Sequence, residues 1–248
     1  MMITAKGEWP EALELASVAK ERDCTLVVLT NTAESPLGKL ADHLFLTHTE
    51  GDMESPAVAV SMHASLNLLA FEAARVLKRP EPQWDLLERE FDELPEKLDW
   101  VFTQLSAAVR ALAAEVTRFP SLRIVGGGFY RFPAWRAARR MRLSSGVAVE
   151  ATEASEFCSG LASRARRDDA LLLLSGSHSK IKRLLHRCAA QAHTNGVRVF
   201  SLTDSNDREL AERSDLGILV PPLLEPSACT LTMFMLELLA MEANRVTK

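Results

Sequence analysis

Residues 122–128 read Leu-Arg-Ile-Val-Gly-Gly-Gly, a short and mostly apolar run that breaks at three glycines. Two later apolar runs, residues 170–174 and 197–202, also stop at small polar residues. Apolar runs of about five residues that end in this way and lead into helical periodicity are typical of buried parallel strands that feed helices. The stretch therefore predicts a parallel α/β sheet.

The same patterns predict strands and helices in the rest of the chain. Strands are predicted over residues 25–29, 43–46 and 216–220, and helices over residues 10–21, 36–41, 57–77, 84–91, 98–119, 133–143 and 230–246. The last helix is apolar nearly all round. Such a helix must be covered on most sides, which predicts burial between domains or in a homodimer interface.

An internal repeat divides the chain. A shift of 173 residues places residues 29–31 (Leu-Thr-Asn) on residues 202–204 (Leu-Thr-Asp), and Asp42 on Asp215. The first copy has no counterpart of the glycine-rich strand end, so the first unit is predicted to be incomplete. The predicted limits are a partial first domain over residues 1–78, a linker with a connecting helix over residues 79–119, and a second domain with a C-terminal helix over residues 120–248.

Composition and charge bound the class of protein. With 47% hydrophobic and 25% charged residues the chain is typical of a soluble globular protein, and its net charge of −4 argues against a nucleic-acid partner. No signal sequence is visible and no apolar run reaches the length of a membrane span, so we expect a cytoplasmic protein without a membrane partner. The four cysteines form no CxxC pair. This spacing predicts reduced thiols rather than a zinc site or a disulfide framework.

Four strings resemble motifs of a known family. Residues 3–9 read ITAKGEW, residues 29–31 LTN, residues 35–42 SPLGKLAD, and residues 156–160 EFCSG. They resemble the ISxSGxT, TN, SPLxxxAD and ExxHG motifs of the SIS (sugar isomerase) family, specifically its double-domain phosphosugar isomerases and fructosamine-phosphate deglycases. The resemblance implies an α/β fold of two SIS-type (flavodoxin-like) units with parallel sheets flanked by helices, the first unit incomplete. It also implies a sugar phosphate bound between domains or subunits, no metal and no cofactor.

The resemblance implies a phosphate site at the first strand end. Thr4, Lys6 and Trp9 stand where the family has two serines and a threonine. Thr4 keeps a hydroxyl and Lys6 supplies a positive charge, whereas Trp9 cannot bind phosphate as threonine does. Glu54 and Ala57 lie at the family's GxE loop and are candidate sugar contacts. The alternative is a site that has decayed to a plain strand–helix turn.

A second serine-rich turn follows residue 174. Ser175 and Ser177 are candidate substrate contacts there, because hydroxyl groups at a strand–helix turn suit an anion. The alternative is a polar turn without a ligand, since serine favours turns in any case.

The family's acid–base residues are replaced in this chain. Leu143 and Ser159 occupy the positions of its general base and its ring-opening histidine, and neither side chain titrates near neutral pH. Ser159 is kept as a candidate sugar contact, and Arg140, at the place of a family lysine, as a candidate phosphate contact. Glu156 and Glu150 lie at family-like positions and are the candidate catalytic bases. The alternative is that both are surface carboxylates.

Two functions follow from these residues. The first is an aldose–ketose isomerase or fructosamine-phosphate deglycase. The second is a phosphosugar-binding or regulatory protein that has lost the acid–base pair. Either one is expected to take a small sugar phosphate and to form a homodimer or a higher homo-oligomer.

Overall fold

The computed structural model describes residues 1–52, 54–80, 83–161, 165–176 and 180–248. The chain divides into two compact units, Met1–Pro80 and Glu81–Lys248, called here the N-terminal unit and the C-terminal unit. Both contain a parallel sheet with helices packed against it, which confirms the predicted fold class. In this division residues 81–119, which the sequence analysis assigns to a linker, belong to the C-terminal unit.

The N-terminal unit is built on three parallel strands in the order β1-β2-β3. Its strands are β1 (Met2–Ile3), β2 (Val27–Thr30) and β3 (His43–Leu46), and its helices are α1 (Pro10–Glu21), α2 (Pro36–Leu40) and α3 (Pro56–Val76). Each helix begins at a proline, whose fixed φ suits the first helical turn and whose missing N–H is not needed there. A small core of Ala16, Leu26, Val28 and Leu37 joins α1 and α2 to β2.

The C-terminal unit is built on five parallel strands in the order β5-β4-β6-β7-β8. The strands are β4 (Ser121–Gly126), β5 (Ala148–Glu153), β6 (Asp169–Leu174), β7 (Arg198–Asp204) and β8 (Leu216–Val220). The helices are α4 (Trp84–Asp92), α5 (Leu94–Trp100), α6 (Ser106–Val116), α7 (Arg131–Ser145), α8 (Ala154–Glu156), α9 (Lys182–Thr194), α10 (Arg208–Glu212) and α11 (Glu225–Val246).

Helices cover both faces of the five-stranded sheet. On one face α6, α7 and α11 pack on Leu172 and Leu202, and on the other α9 and α10 pack on Leu171 and Leu173. Because β6 is buried on both sides, its side chains from Ala170 to Leu174 are apolar without alternation, as predicted for a buried parallel strand.

The sequence repeat corresponds to a repeated contact. Asp42 Oδ2 accepts a hydrogen bond from the Leu26 N–H at 2.7 Å, and Asp215 Oδ2 accepts one from the Val199 N–H at 2.8 Å. The backbone N–H of each aspartate in turn donates to the carbonyl of the same partner. The shift of 173 residues relates both members of the contact, so each aspartate holds the amino end of a strand in the same way.

The sequence pattern missed β5 and extended α6 too far. Strand β5 lies at an edge of the sheet, and only its Val149 is fully buried. Glu150, Thr152 and Glu153 interrupt any apolar run in β5, so the pattern of a buried strand is absent. The helix predicted over residues 98–119 is in fact α5 and α6 separated by a π-helical segment, Val101–Leu105.

Helix α11 begins five residues before its predicted start because α4 caps it. The Leu224 N–H donates to both carboxylate oxygens of the buried Glu90, at 3.0 and 3.1 Å. A carboxylate at a helix N-terminus satisfies a backbone donor that the helix itself leaves unpaired. The cap lies 134 residues away in the sequence, so no local pattern could predict it.

The prediction of four reduced thiols is wrong for two of them. Cys158, in the π-helical segment Phe157–Leu161, is joined by a disulfide to Cys188 of α9, with the Cα atoms 5.7 Å apart. Cys24 is an exposed free thiol and Cys229 a buried one. The 30 residues between the partners hide the pair from any motif, because only the packing of α9 beside residues 157–161 brings them together.

Helix α3 corrects the expectation that no segment is long enough to cross a membrane. Among the described residues this one helix is sufficient in length and mean hydropathy, and 28% of its most apolar window is buried within the protein. Core helices of soluble proteins meet the same criterion.

Candidate functional site

The carboxyl ends of β1 and β2 meet at a tight turn that begins at Thr4. The Thr4 N–H donates to Leu29 O at 3.0 Å, and Thr4 Oγ1 accepts from the Gly7 N–H at 3.1 Å. Gly7 has a φ of +64°, and a Cβ atom there would lie 2.4 Å from Ser35 Oγ. Both the positive φ and the close approach require glycine, so the turn has one tightly defined path.

The carbonyl of Ala5 anchors this turn to β2. It accepts from Thr30 Oγ1 at 2.8 Å and from the Asn31 N–H at 3.2 Å. Lys6 is exposed at the top of the turn. The turn thus presents a positively charged side chain beside the strand ends.

Asn31, just after the end of β2, joins the loop around Gly51 to the carboxyl edge of the sheet. Its Nδ2 donates to Gly51 O at 2.8 Å, and the loop after Gly51 closes because the Glu54 N–H donates to Asp52 Oδ1 at 3.0 Å. Glu54 is half-buried, and Ala57 is exposed in the first turn of α3. The four candidate residues of this unit therefore lie on segments that hydrogen bonds join at the carboxyl edge of its sheet.

A chain of hydroxyl groups at this edge was not predicted. Thr47 Oγ1 lies 2.9 Å from Thr49 Oγ1, which lies 3.2 Å from Ser61 Oγ on α3. Ser61 Oγ itself donates to Ala57 O at 2.7 Å, so the protons of this chain are used within it and the hydroxyls are left as acceptors for sugar hydroxyls. The lysine, the asparagine amide and the backbone N–H groups at the start of α3 provide the donors for a phosphate. The available signal was the pair of threonines that directly follows β3.

Glu150 lies apart from the strand ends. It is the third of six residues in β5, and its Oε2 accepts from Arg123 Nη2 at 3.1 Å. Arg123 is its direct neighbour on β4, so the contact is a cross-strand ion pair.

Glu156 and Ser159 lie where β5 has just ended, at the carboxyl edge of the five-stranded sheet. Both side chains are exposed. Ser159 Oγ donates to the backbone carbonyl of Glu156 at 3.1 Å, which closes a local turn. Of the two candidate bases, only Glu156 lies at a strand end.

Arg140 lies in a charged contact between two helices. Its Nε is 3.5 Å from Glu237 Oε2, while Arg136 Nε donates to Glu237 Oε1 at 2.7 Å. Arg136 is 8% and Glu237 is 2% exposed, so this ion pair is inside the protein. Because α7 starts at the carboxyl edge and runs away from it, Arg140, nine residues along, is distant from that edge.

Ser175 lies at the end of β6 and is buried. Its Oγ donates to Asp207 Oδ2 at 3.3 Å, and the second oxygen of Asp207 lies 2.9 Å from His186 Nε2 and 3.2 Å from Lys182 Nζ. The hydroxyl predicted to contact an anion is therefore bonded to a carboxylate. Ser177, the other candidate of this turn, lies outside the described residues.

Tyr130 packs closely against Gly176, next to Ser175 at the carboxyl edge of the five-stranded sheet. A Cβ atom on Gly176 would lie 2.2 Å from Tyr130 Oη and 3.4 Å from Asp204 Oδ2. Burial raises the pKa of Tyr130, and the nearby Cys229, Asp204 and Glu225 raise it further. Burial, followed by Glu225, raises the pKa of Cys229 to about 12. This part of the edge is crowded and carries carboxylates, which disfavour an anion.

No group of three or more His, Cys, Asp or Glu residues is arranged to hold a metal ion within the described ranges.

Comparisons with known proteins identify the C-terminal half. The SIS domain model matches residues 120–242, which contain all five strands of the larger sheet. Residues 120–242 form a SIS domain. No curated protein matches the chain in sequence.

Solved structures with low sequence identity share the fold of the SIS domain and of the rest of the chain. The C-terminal domain of glucosamine-fructose-6-phosphate aminotransferase from Francisella tularensis is 15% identical with a TM-score of 0.88, over 99% of this chain and 70% of that one. Glucosamine-6-phosphate deaminase from Thermotoga maritima is 16% identical with a TM-score of 0.67, over 97% and 68%. Tagatose-6-phosphate ketose/aldose isomerase from Escherichia coli is 15% identical with a TM-score of 0.72, over 98% and 67%.

Most of the charged network in the SIS domain was not predicted from the sequence. Asp204 and Asp207 directly follow a predicted strand, which was an available signal. His186 and Lys182 are bonded to Asp207 from α9, and Glu237 lies in an apolar helix. The contacts of these three residues depend on how the helices pack, and no local sequence pattern indicates that packing.

Proposed function

We propose that this protein binds a sugar phosphate at the carboxyl edge of the N-terminal sheet and acts as a binding or regulatory protein. The observation that carries the proposal is the convergence there of the turn from Thr4 to Gly7, Asn31 and the loop before α3. Lys6 would pair with the phosphate, since an exposed ammonium is a compact point charge that suits this anion.

The sugar would be bound by the remaining polar groups of this edge. Carboxylates accept hydrogen bonds from sugar hydroxyls, which is the role we assign to Glu54. Threonine hydroxyls can both donate and accept, so Thr4 suits either part of the ligand.

The nature of the ligand is supported by the proteins that share the fold. The three named above act, by their names, on fructose 6-phosphate, glucosamine 6-phosphate and tagatose 6-phosphate. A hexose 6-phosphate or its amine derivative is therefore the first ligand class to test. The SIS domain supports the same class at the level of the family.

Binding without turnover is favoured by the chemistry of the SIS domain. Leu143, at the place of the family's base, is 69% exposed and cannot accept a proton. Glu150 is ion-paired with Arg123 in the middle of a strand. Ser159 cannot replace a histidine that opens a sugar ring, because its hydroxyl does not titrate near neutral pH.

One observation favours a second candidate function, an aldose–ketose isomerase or fructosamine-phosphate deglycase. Glu156 is an exposed carboxylate at a strand end of the SIS domain, and a carboxylate can serve as a general base. Turnover of fructose 6-phosphate, glucosamine 6-phosphate or a fructosamine 6-phosphate that is abolished in Glu156→Gln would establish this function. If a sugar phosphate binds but none is turned over, the second function is contradicted and the binding protein remains.

Isothermal titration calorimetry tests the binding proposal directly. Glucosamine 6-phosphate and fructose 6-phosphate are titrated into the full chain, with glucosamine and inorganic phosphate as comparison ligands. We expect the sugar phosphates to bind most tightly and Lys6→Ala to weaken them by about tenfold, the usual size of one charge-assisted contact. The affinity should also fall with added salt, because the contact is between exposed charges.

Lys39→Ala is the matched control. Lys39 is another exposed lysine of the same unit, paired with Glu34 at 3.7 Å, and it belongs to α2 rather than to the turn. Its removal should leave the affinity unchanged. Equal losses in both lysine variants, or no binding of any sugar phosphate, would contradict the proposal.

A further inference from the structure

The Cys158–Cys188 disulfide ties the segment after β5 to helix α9. Cys188 is fully buried on α9, whereas Cys158 is half-buried on the π-helical segment Phe157–Leu161. The Cα separation of 5.7 Å lies within the range of about 4.4 to 6.8 Å that disulfides require. The bond is therefore compatible with the backbone as it stands.

The same backbone also accommodates the two free thiols. Leu184 O lies 3.6 Å from Cys158 Sγ, and Ala154 O lies 3.7 Å from Cys188 Sγ. Each sulfur thus has a carbonyl acceptor within reach of an S–H group once the disulfide is broken. Reduction therefore leaves neither thiol without a hydrogen-bond partner.

The two sulfurs differ in access. Cys158 is the less buried partner, so an external thiolate would attack Cys158 Sγ. The S–S bond would break, the electron pair would leave with Cys188 Sγ, and that thiolate would take up a proton. A second external thiol would then displace the first from Cys158, which gives a second protein thiol and one external disulfide. Two electrons and two protons pass from the external thiols to the protein.

The segment that the bond holds carries candidate site residues. Phe157 is 1% exposed and anchors the start of the segment in the core beside Leu185. Beyond it Ser159 is exposed, and its side-chain bond is a local one to Glu156 O. The disulfide is the covalent connection between this part of the chain and α9.

We infer that Cys158 and Cys188 form a reversible redox clamp, which fixes residues 157–161 against α9 when oxidised and releases them when reduced by a cellular thiol. The clamp does not depend on the proposed function. Its chemistry requires only a thiol reductant of the glutathione class and the corresponding disulfide oxidant.

Mass spectrometry of the full chain tests whether the pair forms and is reversible. The protein carries Cys24→Ser, which removes the exposed free thiol, and is equilibrated over a series of reduced to oxidised glutathione ratios. After acid quenching, alkylation in denaturant and digestion, the peptide that links Cys158 to Cys188 should appear with oxidised glutathione and disappear with reduced glutathione. No linked peptide at any ratio would overturn the inference. A link that native protein retains in excess dithiothreitol would overturn its reversibility.

Hydrogen exchange tests whether the bond acts as a clamp. Amides of residues 157–161 should exchange about tenfold faster in the reduced protein, while those of α7 keep their rate, because only the segment loses a tether. Cys188→Ser should exchange like the reduced protein in every buffer. Equal rates in oxidised and reduced protein would show that the disulfide restrains nothing. Sugar-phosphate binding is not used as a readout, so failure of the proposed function would leave these results unaffected.

Discussion

Asp42 and Asp215 hold the amino ends of β2 and β7 through the same two backbone contacts, whereas the carboxyl ends of the two sheets differ in chemistry. At the edge of the N-terminal sheet lie hydroxyl groups, an asparagine and the exposed Lys6. At the edge of the SIS domain sheet, Asp204 and Asp207 are buried within the protein. Among the described residues, the repeated scaffold therefore carries two strand-end edges of different chemistry.

A buried ion pair of the SIS domain contrasts with an exposed ion pair of the N-terminal unit. The Lys20–Asp42 pair of the N-terminal unit has side chains that are 39% and 37% exposed, at an N–O distance of 2.5 Å. In the SIS domain the Arg136 and Glu237 side chains are 9% and 3% exposed. Exposed pairs contribute little to stability, whereas breaking a buried pair leaves an uncompensated charge. Removing the carboxylate of the buried pair should therefore lower the free energy of unfolding more than removing that of the exposed pair.

The largest effect is expected from Glu237→Ala. Removing this carboxylate leaves Arg136 charged and buried, and Arg136 Nη2 already lacks a hydrogen-bond partner. We expect the free energy of unfolding to fall by about 3 to 5 kcal/mol, measured by urea denaturation with circular dichroism. The double variant Arg136→Leu with Glu237→Leu removes both charges and should recover most of the loss. A single variant as stable as the wild type would show that the pair is not buried as described.

A smaller fall in the free energy of unfolding is expected from Gly176→Ala, which tests the crowded edge of the SIS domain. The added methyl would lie 2.2 Å from Tyr130 Oη, so the tyrosine or the strand end must shift. Overpacking of this kind costs about 1 to 3 kcal/mol, measured in the same denaturation experiment. Gly160→Ala is the control, because nothing lies within 4 Å of a Cβ atom there. Equal stabilities of the two variants would argue against a closed edge.

Gly7→Ala tests the open edge of the N-terminal unit. The substitution forces a positive φ on a residue with a Cβ atom, which costs about 1 to 2 kcal/mol, and it presses that atom against Ser35. Sugar-phosphate affinity should fall together with stability, because the turn that holds Thr4 and Lys6 is displaced. Gly146→Ala has the same strain at φ +72° but no neighbour within 4 Å, and it should leave the affinity unchanged. Intact binding in Gly7→Ala would separate this turn from the proposed site.

Much of the scaffold could be predicted from the sequence, because it depends on local patterns. The strands His43–Leu46 and Leu216–Val220 and the helix Pro10–Glu21 have the predicted limits. The repeat predicted that Asp42 corresponds to Asp215. Each of these features depends on residues close together in the sequence or on a fixed period.

The remaining features depend on distant partners. The Glu90 cap of α11 and the Cys158–Cys188 bond join elements that no motif connects. At the candidate site, the sequence predicted Thr4 and Lys6 at a strand end, while their roles stay predictions. It could not separate Glu150 from Glu156, because ion pairing across strands is decided by register.

The smallest effect, a pH-dependent one, is expected at Asp42. The Lys20 side chain, which hydrogen-bonds to Asp42, and then the Leu26 N–H hold the pKa of this carboxyl below its ordinary value of 3.8. A group whose pKa is lowered on folding stabilises the protein above its unfolded pKa, and this contribution is lost as the pH falls through the folded pKa. Asp42→Asn should therefore lower the Tm by a few degrees at pH 7, and the difference from the wild type should shrink as the pH is lowered below 3.8. Scanning calorimetry of both proteins across that range measures it, and a Tm difference that stays constant down to the lowest pH would show that the Asp42 charge does not support the shared contact.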